Sequence, residues 1–151
     1  MSKTIWVVVA NRVTARIFAT DNPLGAIEEV ETLLHPESRV QEQSLVSDRS
    51  GRTERSGGSG RQSSDPDTQH HEHETTVFAA QVAALLAKAR NDARYGTLAL
   101  IAPPAFLGAL RKALDAQTRH LVTLELDKDL ALLDPRTLRT HLPERLVRAE
   151  T

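Results

Sequence analysis

The chain contains no cysteine. That excludes disulfides, thiolate metal sites and cysteine nucleophiles, and it accords with a reducing compartment. Aromatic residues make up only 3% of the chain against 40% hydrophobic residues, so a core has to be assembled from Val, Leu, Ile and Ala. Neither charge sign is in real surplus. The formal net charge is -1, which supplies no global basic field and confines any nucleic-acid binding to a local patch. Long hydrophobic runs are missing as well. Ile5–Ala10, behind Lys3, is too short for a signal-peptide core and is followed at once by Asn11 and Arg12. No stretch approaches the roughly 20 apolar residues of a transmembrane helix. These absences predict a soluble, cytoplasmic protein with no membrane partner. At 151 residues, one domain spanning 1–151 is expected.

What is present reads as alternating strands and helices. Thr4–Ala10 (TIWVVVA) is apolar on both faces, the mark of a central strand covered on both sides. A turn at Asn11-Arg12-Val13 leads to a second strand, Ala15–Thr20, and the pair reads as a hairpin. After a turn at Asp21-Asn22-Pro23 and Gly25, Ile27–Leu34 is short enough for either a helix or a strand. Its place after a hairpin favours a third antiparallel strand. Thr76–Arg94 has helical periodicity, with Phe78, Val82, Leu85, Leu86 and Ala89 on one stripe and Gly96 placed to end it. Thr97–Ala102 reads as a buried parallel strand. Pro103-Pro104 opens a helix with Phe106, Leu107, Leu110, Ala113 and Leu114 inward. Leu121–Leu126 alternates as a strand nearer an edge does. Asp134 as N-cap and Pro135 at the first helical position start a last helix bearing Arg136, Arg139, Arg145 and Arg148. Joining these elements predicts an α/β fold on a mixed five-stranded sheet in the order 3-2-1-4-5, with an antiparallel N-terminal meander.

Between about residues 35 and 74 the character changes. The large apolar residues there are only Val40, Leu45 and Val46, and four of the seven glycines (Gly51, Gly57, Gly58 and Gly60) fall in this stretch. Composition this poor in hydrophobes predicts a long flexible loop. Loops of such length are functional or disordered. Within it, Arg49, Arg52, Arg55 and Arg61 against Asp48 and Glu54 leave a local charge of four minus two, +2. Glycines let a backbone approach phosphates closely and arginines grip them in pairs of bonds. The stretch is neither a Walker loop nor a dinucleotide fingerprint, and a disordered tether has the same composition.

Three further constellations carry possible chemistry. His70, His71 and His73 with Glu72 and Glu74 include the pair His70/Glu74, four apart on one helical face, a spacing able to share a metal. They match no defined ligand motif, and a polar, solvated first turn of a helix is the commoner meaning of such a cluster. Asp21, Asp127 and Asp129 sit at strand ends, where a metal-dependent hydrolase could assemble its carboxylates. The basic C-terminal residues Arg136, Arg139, His141, Arg145 and Arg148 suit an RNA or an acidic partner, or simply a solvated face. No serine sits in a nucleophile elbow. No pattern calls for a cofactor.

Several segments taken together resemble the bacterial host attachment protein family: TIWVVVANRVTARIFAT at the start, HETTVFAAQVAALLAKA after the loop, then TLALIAPPAFLGALRKAL and LVTLELDKDL. The most specific parts are Ala15-Arg16-Ile17-Phe18, the stretch Ala102–Arg111 and Lys128-Asp129-Leu130. That family is in turn similar to the central domain of archaeal and eukaryotic class-I release factors and of Pelota. The resemblance implies a ribonuclease-H-like three-layer fold. It also implies that the loop before the first long helix carries the working motif, which in release factors is Gly-Gly-Gln and serves peptidyl-tRNA hydrolysis. This chain has Gly57-Gly58-Ser59-Gly60-Arg61-Gln62 at the matching place, so Ser59 replaces the glutamine. The resemblance therefore implies a non-catalytic domain contacting the ribosome or structured RNA, with a role in translation. Its binding residues are Arg49, Arg52, Arg55, Gly57, Gly58, Ser59, Gly60, Arg61 and Gln62. Two alternatives stay open at this level: a protein-interaction module whose loop orders on a partner, and a hydrolase, either metal-dependent or acting on peptidyl-tRNA.

Overall fold

A computed structural model describes residues 3–35, 70 and 72–147. Three strands come first: β1 (Ile5–Ala10), β2 (Thr14–Thr20) and β3 (Glu28–Leu34). Helix α1 (72–91, with His70 helical ahead of it) follows. Next come β4 (Thr97–Ile101), α2 (Pro104–Ala113), α3 (Ala116–His120), β5 (Val122–Leu126) and α4 (Pro135–Thr140). The strands form one sheet in the order β3-β2-β1-β4-β5. β1 pairs antiparallel with β2 and parallel with β4, β2 pairs antiparallel with β3, and β4 pairs parallel with β5. Of the expected segment Ile27–Leu34, Glu28–Leu34 is therefore a strand. Its pairing with β2 skips a residue: Phe18 faces Glu29 and Ile17 faces Glu31. Val30 is left over in a bulge and turns out to solvent, which suits an edge strand.

The central position of β1 explains its run of apolar residues. Side chains alternate across a strand, so Trp6, Val8 and Ala10 enter one core with α1 and α2. Ile5, Val7 and Val9 enter a second core on the opposite face, closed by Leu130, Leu138, Leu142 and Leu146. The result is three layers: the paired helices, the sheet, and a C-terminal segment with α4. The expected α1 stripe is inward, and Phe78, Val82, Leu86 and Ala89 are buried. On α2, Phe106, Leu107 and Leu110 are buried, whereas Ala113 faces solvent.

Two helix boundaries differ from expectation. α1 starts earlier than Thr76, because Glu74 has a buried partner to satisfy. It ends at Ala93 rather than at Gly96. Ala93 takes the left-handed conformation, φ 59°. Its N–H donates to the Arg90 carbonyl and the Arg94 N–H donates to the Ala89 carbonyl, the bonding pattern of a Schellman cap. Gly96 instead gives its N–H to the Thr4 carbonyl and leads into β4. Asp115 caps the short α3, which periodicity does not announce, by accepting from the Thr118 N–H. Asp134 caps α4 in the same way through the Thr137 N–H, with Pro135 at the first position as its sequence predicts.

Candidate functional site

The stretch rich in Gly and Arg, 49–62, lies outside the described residues. Its expected binding residues Arg49, Arg52, Arg55, Gly57, Gly58, Ser59, Gly60, Arg61 and Gln62 therefore have no structural account. What the structure gives is the pair of points from which 36–69 departs and to which it returns, and these points touch each other.

His35 ends β3, with its backbone N–H donating to the Val13 carbonyl at 2.9 Å. Its ring stacks on Phe78 of α1 with centroids 4.9 Å apart, and Phe78 in turn meets Phe106 of α2. Aromatic contacts of this kind fix a ring's orientation as well as burying it. They aim Nε2 of His35 at Oε2 of Glu74, 3.2 Å away. The other oxygen, Oε1, lies 3.2 Å from Nε2 of His70, one helical turn earlier. The side chains of His35 and Glu74 are 2% and 7% exposed, and that of His70 is 42% exposed. His73 points to solvent. An ionised Glu74 needs this arrangement, since a buried carboxylate is tolerated only when hydrogen-bonded or paired. Among the described residues, no group of three or more His, Asp or Glu is placed to hold a metal ion.

Next to this anchor runs an open groove between the first turns of α1 and helix α2. Thr76, Ala80, Ala105, Gly108 and Ala109 line it, with Arg12, Glu72 and Lys112 among its polar residues. A Cβ added at Gly108 would meet nothing within 4 Å, so this wall is set by side-chain size rather than by backbone need.

The strand-end aspartates do not come together. Asp21 accepts from Thr4 Oγ1 at 2.8 Å, ahead of β1. Asp129 is 3.4 Å from Asn11 Nδ2, beyond the other end of β1. The antiparallel register, with Ile5 opposite Thr20 and Ala10 opposite Ala15, puts Asp21 at the far end of the sheet from Asp129. A carboxylate site built from Asp21, Asp127 and Asp129 is ruled out by that geometry.

The basic C-terminal face is also smaller than expected. α4 stops at Thr140, so Arg145 is not helical, and Arg148 lies outside the described residues. Arg139 is not a solvated charge. Its guanidinium donates to the carbonyls of Pro23, Gly25, Pro143 and Glu144, tying the β2–β3 turn to the C-terminal segment. Arg136 lines a shallow concavity with Leu24, Ala26 and Glu144.

The residues that carried the family resemblance prove to be fold-holding. Arg16 pairs with both oxygens of Glu29 and donates to the Ala131 and Leu133 carbonyls. The hydrogen bond from Arg16 holds the Glu29 carboxyl below the usual carboxylate range, with burial opposing it. Phe18 and Leu130 fill the second core. On the helical face, Tyr95 donates to the Leu86 carbonyl at 2.6 Å, and burial pushes its phenol up to about 12. His35 is the residue that sequence reading misses. A lone histidine after a strand carries no signal when its partner is 39 positions away.

Residues 6–142 match a family described as "Protein required for attachment to host cells". No curated protein matches the sequence. Among solved structures, an archaeal translation termination factor is similar at 12% identity and a TM-score of 0.43, over 82% of this chain and 30% of that one. A second structure, described only as an archaeal protein, is similar at 12% identity and a TM-score of 0.44, over 92% of this chain and 34% of that one. The chain thus spans about a third of each of those molecules.

Proposed function

This chain belongs to the family of proteins required for attachment to host cells, and from that premise we propose that it binds ribosomal or other structured RNA through its Gly/Arg stretch. The stretch would act as a non-catalytic, release-factor-like element in translation, with attachment affected indirectly.

One observation carries the reading. The residues that flank 36–69, the stretch holding Arg49, Arg52, Arg55, Arg61 and the Gly57-Gly58 pair, meet in one buried contact, His35 against Glu74. Joining the ends of a long loop at a rigid base lowers the entropy lost when the loop meets a ligand. The four arginines supply charge for phosphate oxygens, and the groove beside the His35–Glu74 contact carries Arg12 and Lys112. Ser59 in place of glutamine argues for contact without peptidyl-tRNA hydrolysis.

Association with ribosomes in a cell extract tests this. The intact chain is expected to co-sediment in a nuclease-sensitive manner, and a chain lacking residues 49–62 is not. Capture of one protein, insensitive to nuclease and dependent on the same stretch, would replace RNA with a protein partner.

A further inference from the structure

Strand β3 is an edge of the sheet: among the described residues it pairs with β2 alone. Its hydrogen bonds show which residues face outward. His35 gives its N–H to the Val13 carbonyl, and the Leu33 carbonyl accepts from Thr14 Oγ1. Residues 33 and 35 thus bond toward β2. Alternation along an antiparallel strand then turns the N–H and C=O of Thr32 and Leu34 to the open side. Groups of that kind are a template for another strand.

Apolar side chains accompany them. Val30 stands two places before Thr32 and Leu34 two places after it, and they are 42% and 49% exposed. Thr32 and Leu34 share a face with Arg16 and Thr14, their register partners. Arg16 bonds to the carbonyls of Ala131 and Leu133 and so holds Leu132, 88% exposed, over that same face. Acidic residues ordinarily blunt an edge, but here Glu29 is paired with Arg16 and Glu31 with Arg94.

We propose that β3 is a homodimer edge, at which two copies of the chain pair antiparallel about a two-fold axis at Thr32 and continue one five-stranded sheet into the other. A two-fold contact has to be complementary to itself. About Thr32, each Val30 falls opposite Leu34 of the second copy and each Glu31 opposite Leu33, so no two carboxylates meet. An axis at Glu31 would set that residue against itself, and an axis at Val30 would set Glu29 against Glu31. Like charges directly opposite are destabilising, so the pattern selects Thr32. The bulge at Val30 lies at the end of the paired stretch and leaves Glu31–Leu34 regular. One short strand pair buries less than the roughly 1,200 Å² of a stable complex, so the dimer is a weak one.

The lack of cysteine makes single-cysteine variants clean reporters of this register. Opposed Cα atoms in an antiparallel pair are about 4.5–5.5 Å apart, within reach of a disulfide. The two Val30 residues would stand four places apart along the strands, roughly 14 Å. Under mild oxidation of the intact chain, Thr32→Cys is expected to form a disulfide dimer about tenfold or more faster than Val30→Cys. Sedimentation velocity of the wild-type chain is expected to show reversible dimerisation between about 10 μM and 1 mM. Leu34→Glu is expected to weaken it about tenfold or more with circular dichroism unchanged. Equal cross-linking rates in the two cysteine variants, or undiminished dimerisation in Leu34→Glu, would overturn the proposal. A wild-type chain that stays monomeric throughout would leave the edge to a different occupant and overturn it too. None of these readouts involves RNA, so they are independent of the function proposed above.

Discussion

His35 Nε2 lies 3.2 Å from Glu74 Oε2, across 39 residues of sequence, with both side chains buried. Removing the carboxylate leaves the buried His35 Nε2 without its partner, at a cost of about 1–3 kcal/mol. Glu74→Ala is therefore expected to be strongly destabilising in urea titration. Glu74→Gln, which keeps an acceptor for the His35 Nε2–H, is expected to cost less than half as much. Equal losses in the two variants would mean that packing, not the polar contact, holds this corner.

Ala93 adopts φ 59° at the end of α1. A left-handed conformation costs a residue with a Cβ about 1–2 kcal/mol, whereas glycine adopts it freely but loses more entropy on folding. Ala93→Gly is expected to stabilise the protein by about 0.5–1 kcal/mol, visible as a rise in Tm. Ala93→Val is expected to lower Tm, because a β-branched residue suits this conformation worst.

Arg139 joins four backbone carbonyls from two distant segments. Lysine cannot reproduce that planar fork. Arg139→Ala and Arg139→Lys are both expected to destabilise, by about 2–3 kcal/mol for the alanine variant. They are also expected to leave RNA co-sedimentation of the folded protein unchanged. A selective loss of co-sedimentation in Arg139→Lys would return this residue to the binding surface.

Asp115 and Asp134 have carboxyls held below the usual range by bonds to the capped helix turns, from Thr118 and Thr137 respectively. A group whose folded pKa is depressed stabilises the protein above its unfolded value and loses that contribution as pH falls through the folded one. Asp115→Ala and Asp134→Ala are expected to lower Tm at pH 7, with the gap to wild type closing as pH falls below about 4, where an unfolded aspartate titrates. A gap that persists unchanged at pH 2.5 would show that charge plays no part in the caps.

Much of this architecture can be read from the amino acids because the signals are local. β1 is apolar on both faces, and it is the central strand. Asp134-Pro135 reads as a helix start, and Asp134 accepts from Thr137. Where sequence reasoning fails, distant partners decide. Arg139 looks like a surface cation until the carbonyls of Pro23 and Gly25 are brought to it. The end of α1 goes to Ala93 because the cap geometry is satisfied there, although Gly96 is the better residue for it. The three aspartates look alike at strand ends, and only the register shows that Asp21 is at the opposite end of the strands from Asp129. Glu74 is legible as one member of a histidine-rich cluster, while its partner His35 is not legible at all.

The central claim is that the four arginines of the 49–62 stretch contact phosphate. Co-sedimentation of the purified chain with ribosomes across a salt series tests it most directly, comparing wild type with the combined Arg→Ala variant at 49, 52, 55 and 61. Contacts from four cations predict wild-type affinity falling roughly 50- to 150-fold between about 50 and 200 mM salt. In the variant, binding at low salt should be largely lost and the salt slope flattened. Wild-type binding absent at low salt, or binding whose strength and salt slope are unchanged in the variant, would contradict it.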